Sequence, residues 1–90
     1  MRESNSPSTL YVGGLGRQAD TSTLRTLFAD FGGVTDVRVV LDQATTHCRG
    51  FGYVSFADPR GAIDAQLALD GRSLGGGRLG GGRLRVALAL

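Results

Sequence analysis

Between Thr9 and Gly13 the chain alternates: Leu10 and Val12 fall on one side and Tyr11 on the other. That is the two-residue period of a strand with one covered face. Gly13, Gly14 and Gly16 end it. The period then changes. Leu24, Leu27, Phe28 and Phe31 recur at i, i+3, i+4 and i+7, which predicts a helix that buries this stripe, with Asp20 as N-cap and Gly32-Gly33 as the stop. Val34 to Leu41 is rich in β-branched residues and predicts a second strand, with Val37, Val39 and Leu41 toward the core and Asp36, Arg38 and Val40 on the opposite face. Asp42 to Cys48 is polar and reads as a loop, with His47 and Cys48 as loop residues that form no site. Phe51 to Phe56 predicts a third strand. Asp58-Pro59 opens a second helix, a cap followed by proline at the first helical position. Ala62, Ala65 and Leu69 mark its buried face with Ile63 and Leu67 alongside, and Asp70-Gly71 ends it.

A tandem repeat follows, Gly75-Gly76-Gly77-Arg78-Leu79 and then Gly80-Gly81-Gly82-Arg83-Leu84. The last strand most simply uses the second copy, over Arg83–Leu88, with Leu84, Val86 and Leu88 inward. Arg83, Arg85 and Ala87 then share the side of Tyr11 and Phe51. The order β-α-β-β-α-β predicts an α+β, ferredoxin-like sandwich: a four-stranded antiparallel sheet with two helices on one face. The polar residues 1–8 are expected to be a disordered leader, residues 9–90 one domain, and residues 75–82 a glycine-rich loop.

The third strand carries the strongest chemical signal. In Arg49-Gly50-Phe51-Gly52-Tyr53-Val54-Ser55-Phe56, parity sends Val54 and Phe56 to the core. Phe51 and Tyr53 then face the side without helices, where flat rings are costly unless something stacks on them. Unpaired bases suit, since every base has a π-face. Gly52, between the rings, is expected to leave the other side of the strand free for close packing by a helix. Burying the rings instead would expose Leu10, Val12, Val54 and Phe56.

This octamer resembles the longer signature of the RNA recognition motif family, a basic residue followed by Gly-aromatic-Gly-aromatic-aliphatic-any-aromatic. Leu10-Tyr11-Val12-Gly13-Gly14-Leu15 is similar to the family's shorter motif and precedes the longer one, in the family's usual order. The chain departs from the pattern at Gly14, where asparagine is commoner, at Thr46, where a glycine often stands, and at Gln66, usually apolar. The resemblance implies that single-stranded RNA, or single-stranded DNA by the same chemistry, crosses the open face. Tyr11 and Phe51 would each stack a base, Tyr53 would wedge against sugars or between bases, and Arg49 would neutralise a phosphate. Arg38, Arg83 and Arg85 lie on the same face by parity. RNA chaperoning and post-transcriptional regulation are roles open to such a module.

Composition narrows the alternatives. Ten basic residues, all arginine, against eight acids give a net charge of +2, which permits phosphate contact without making a polycationic binder. The single cysteine excludes an internal disulfide, and no metal site or cofactor is expected. Neither glycine cluster fits a phosphate-cradling loop, and an acylphosphatase-like enzyme of this topology needs an asparagine that this chain has only at Asn5. No apolar run approaches the roughly 20 residues of a membrane span. A monomer without membrane contact is expected, in the cytoplasm or, in a eukaryote, the nucleus. A protein-interaction module using the same sheet face stands as the alternative.

Overall fold

The computed structural model describes residues 8–73, 80 and 82–89. The first copy of the repeat, Gly81 and residues 1–7 of the expected leader lie outside the described residues. The elements follow the expected order: β1 (Thr9–Gly13), α1 (Thr21–Phe28), β2 (Val34–Leu41), β3 (Cys48–Phe56), α2 (Pro59–Leu69) and β4 (Arg85–Leu88). They form one four-stranded antiparallel sheet in the order β2-β3-β1-β4.

Local signals start both helices. Asp20 Oδ1 accepts the Thr23 N–H at 2.8 Å, and Asp58 Oδ1 accepts the Arg60 N–H at 2.9 Å. Each satisfies an amide the first helical turn would otherwise leave unpaired. A 3-10 turn, Ala29–Phe31, tightens the end of α1, so Phe31 packs against the core from outside the helix proper. At the far edge of the sheet, Asp70 Oδ1 accepts the Val86 N–H at 2.9 Å, tying the end of α2 to strand β4.

The core lies between the helices and one face of the sheet. Leu10, Val12, Val54, Phe56, Leu84 and Val86 meet Leu24, Phe28, Ala62, Ala65 and Leu69, all buried. Phe28 and Phe56 touch edge to face at 6.2 Å. Leu84 and Val86 are buried as expected, and the last strand follows directly on the second repeat copy.

Several expectations need correction. Leu41 does not face the core; it is 50% exposed. Val39 pairs with Gly52 but Leu41 pairs with Cys48, a register shift that breaks the two-residue alternation. Cys48 is not a loop residue: it opens β3 and is buried. Ile63 and Leu67 are exposed, at 41% and 78%. The buried stripe of α2 is Ala62, Ala65 and Leu69, as expected, joined by Gly61; the small residues Gly61, Ala62 and Ala65 let the helix pack closely. Regular β4 starts at Arg85 rather than Arg83, which forms only an isolated bridge with Ser73.

Gly52 needs its missing side chain for a different neighbour than expected. A Cβ there would collide with the Arg38 carbonyl oxygen and lie 3.2 Å from Val39 Cα, so the close approach is by strand β2, not by a helix. Thr46, where a glycine was the usual residue, takes the left-handed conformation itself (φ 60). The turn around it is closed by Thr46 N–H to the Asp42 carbonyl and Asp42 N–H to the His47 carbonyl, both 2.8 Å.

Candidate nucleic-acid interface

The strand register assembles the site. Tyr11 pairs with Tyr53 on one side and Ala87 on the other, while Arg38 pairs with Tyr53. One row across the open face is therefore Arg38, Tyr53, Tyr11, Ala87. The next row toward the loops is Phe51, Gly13, Arg85, because Gly13 pairs with both. Paired residues in an antiparallel ladder share a face, and this face is opposite the one that carries the buried core.

The three rings gather at the centre, each half-buried and none within the core cluster. Tyr11 and Phe51 lie 5.8 Å apart between centroids with planes 29° apart. Tyr53 stands edge-on to both, 6.0 Å from Tyr11 and 6.2 Å from Phe51. Such offset and edge-to-face contacts hold aromatic groups in place while leaving a face of each free. Gly13 makes this arrangement possible. A Cβ at that position would come within 2.6 Å of Tyr11 Oη, so the Tyr11 ring lies over the glycine. Below the rings, the Thr9 and Ser55 hydroxyls bond to each other at 2.9 Å.

The arginines are not equivalent. Arg38 Nε donates to Asp36 Oδ2 at 3.0 Å, so its charge is offset by a carboxylate on its own strand and face. That partner was legible, since Asp36 is two residues away along the strand. Arg85 is exposed beside Gly13. Arg49 is exposed where β3 begins and lines a polar cavity of about 340 Å³ with Arg17, Asp42 and His47. The Ala44 and Thr45 N–H groups hold the Asp42 carboxyl below the usual carboxylate range, and Arg49 acts in the same direction. Arg83 precedes β4. Its Nη1 lies 3.5 Å from the Gly71 carbonyl oxygen, in the connection from α2 to β4. Arg17 was not expected near this face, and Gly13 was expected only as a strand end and motif residue. Nothing in residue spacing marks either one, because strand pairing and ring packing place them.

A split β-α-β sandwich with a ring-bearing open sheet face and flanking guanidinium groups defines a class of single-domain recognition modules. Comparison with known proteins agrees: residues 10–80 match the family model of the RNA recognition motif, and the chain belongs to that family. Over 71 residues it is 45% identical to glycine-rich RNA-binding protein 3, mitochondrial, of Arabidopsis thaliana, covering 79% of this chain and 23% of that protein. The chain spans 23% to 51% of the length of three such mitochondrial glycine-rich RNA-binding proteins of Arabidopsis thaliana. Among solved structures it is similar to RNA-binding protein PG1, with TM-score 0.82, 32% identity, and coverage of 92% of this chain and 94% of that one. It is also similar to a chain of an Sxl-lethal protein/RNA complex, with TM-score 0.84, 26% identity, and coverage of 99% and 53%. Among the described residues no helix is long and apolar enough to cross a membrane.

Proposed function

We propose that this chain binds single-stranded RNA across the open face of its sheet, holding bases by stacking and the backbone by arginine. The observation that carries the reading is the cluster of Tyr11, Phe51 and Tyr53 within 5.8 to 6.2 Å of one another on the face without helices. Tyr11 and Phe51 each take one base on a free ring face. Tyr53, edge-on to both, fills the space beside the sugars. Arg49 and Arg85 contact phosphates, while Arg38 acts with its charge already offset by Asp36.

A stacked base is worth about 1–3 kcal/mol. Two stacks with one or two ionic contacts give a dissociation constant on the order of micromolar, roughly −8 kcal/mol. The salt slope is shallow, on the order of one to three, because few phosphates are neutralised. No chemical step is part of this function, and single-stranded DNA fits the same rings. The partner names of the relatives support the reading, and their mitochondrial names leave the cytoplasmic location expected from sequence as a proposal resting on composition.

Titration of a short unstructured RNA with NMR shift mapping tests it. Shifts are expected at Tyr11, Phe51, Tyr53, Arg49 and Arg85. Changes confined to α1 and α2, with the rings silent, would sink the reading. A response to a peptide partner and none to RNA would favour the protein-interaction alternative.

A further inference from the structure

Pairing between β1 and β3 does not stop where β1 ends. Leu15 N–H donates to the Gly50 carbonyl at 2.9 Å, and Cys48 N–H donates to the Arg17 carbonyl at 3.0 Å. The backbone of the loop before α1 therefore runs beside residues 48–50 as a continuation of the ladder. Arg17 is anchored next to Arg49 by this pairing rather than carried on a free loop. Its Nη2 lies 3.3 Å from His47 Nδ1, an acceptor that fixes one edge of the guanidinium. Arg17, His47 and Arg49 line one cavity of about 340 Å³. Asp42 shares the rim; the N–H groups of Ala44 and Thr45, at 2.8 and 3.1 Å from its Oδ1, hold it ionised and its charge acts on Arg49, so the second guanidinium, that of Arg17, is what leaves this cavity net positive. Along the strand, Arg49 is two residues from Phe51, roughly 7 Å at the usual rise per residue. In the adjoining row of the open face Arg38, beside Tyr53, is paired with Asp36, so its charge is balanced.

We propose that Arg17 and Arg49 together form a phosphate site that holds the phosphodiester of a nucleotide beyond the two stacked on Tyr11 and Phe51. This rests on the RNA lying across the sheet. Two guanidinium forks suit the several oxygens of one phosphate, and His47 orients the Arg17 fork toward the cavity. The site lengthens the footprint past the edge of the ring cluster and sets a minimum length for full affinity.

The test compares UpU, long enough only for the two rings, with an octauridylate, using wild-type chain and R17A, R17A/R49A, R17K, R25A and F51A. Binding is followed across a salt series, with an amide spectrum checking each fold. For the octamer, R17A is expected to lose about threefold to tenfold in affinity; the log–log salt slope becomes shallower by about 0.7, the share of one phosphate on a single strand, only in the R17A/R49A double variant, because Arg49 alone still neutralises the shared phosphate. UpU binding by R17A stays at the wild-type level. R17K restores part of the octamer affinity, and R25A, on the exposed side of α1, changes neither affinity nor slope. Wild-type octamer affinity in R17A, a wild-type slope in R17A/R49A, or an equal loss on UpU and the octamer in R17A, overturns the site. F51A separates the two readings. If it weakens both oligomers while R17A does nothing, only the phosphate site fails; if F51A leaves binding intact, the sheet-face reading fails and takes this site with it.

Discussion

Replacing Gly13 by alanine should cost RNA affinity without costing stability. Gly13 ends β1 between Phe51 and Arg85. A Cβ there would lie 2.6 Å from Tyr11 Oη, 2.9 Å from Cε1 and 3.0 Å from Cζ. Carbon contacts are comfortable at about 3.5–4.0 Å, so the outer edge of the ring must retreat by roughly 1 Å. Only the far end of a side chain stands in the way, and two torsions can move it; the sheet need not shift. Alanine also loses less backbone freedom on folding than glycine, by about 0.5–1 kcal/mol, so stability should hold or rise slightly. The displaced ring no longer keeps its 29° relation to Phe51. Losing part of one stack worth about 1–3 kcal/mol predicts an affinity loss of about 1 kcal/mol, near fivefold. Fluorescence anisotropy with a short labelled oligouridylate measures it, and chemical denaturation checks the fold. The decisive measurement is the cycle with Tyr11→Ala: without the ring, Gly13→Ala should have no further effect. Wild-type affinity in G13A, or the same loss with and without the Tyr11 ring, would refute the reasoning.

Three further outcomes follow from the same coordinates. Gly52→Ala drives a methyl group into the Arg38 carbonyl, backbone that cannot yield without opening the β2–β3 ladder; overpacking of this kind predicts a loss of about 1–3 kcal/mol in urea unfolding, and an unchanged midpoint would contradict it. Thr46→Gly relieves a β-branched residue held at φ 60, where left-handed backbone costs a non-glycine residue on the order of 1–2 kcal/mol; part of this is offset by glycine's larger entropy, so a rise of a few degrees in Tm is expected, and a fall would show that the threonine is not strained. Asp42 is held below the usual carboxylate range by the Ala44 and Thr45 amides, with Arg49 adding to the effect. Its ionised form is thus favoured by folding. The contribution is complete above the unfolded pKa and disappears as the pH falls through the lowered folded one; amide shifts of Ala44 and Thr45 should titrate together in that acid window, and their silence would exclude the turn bond as the cause.

How far the chain could be read in advance depends on how local each cause is. Asp20 and Asp58 cap their helices through bonds two or three residues long, so their roles were visible in the residue order. The side assignment of Leu10, Val12, Val54 and Phe56 held because the ladder between β1 and β3 is unbroken, and it put Tyr11, Phe51 and Tyr53 together on the other face. The same parity rule failed at Leu41 because the β2–β3 ladder shifts register after Val39, and alternation counted along one strand cannot see an irregularity in its partner. Ile63 and Leu67 misled because a helix seated on Gly61, Ala62 and Ala65 buries only a narrow stripe, and apolar residues beside it remain outside. Gly52 and Arg17 depend on neighbours distant in sequence, the Arg38 carbonyl and the Cys48 amide, and no spacing rule reaches them.

If bases stack on it as proposed, the open ring cluster also makes this domain a rival to base pairing. Under the proposed binding mode, a base resting on Tyr11 or Phe51 would be one withdrawn from any hairpin that held it. Its capture is worth about 1–3 kcal/mol, against a mean near 1.4 kcal/mol for one step of DNA duplex stacking. The exchange is close to even, so the chain should leave long stable helices alone. Weak stems, already breathing, should be tipped toward the melted form as its concentration rises.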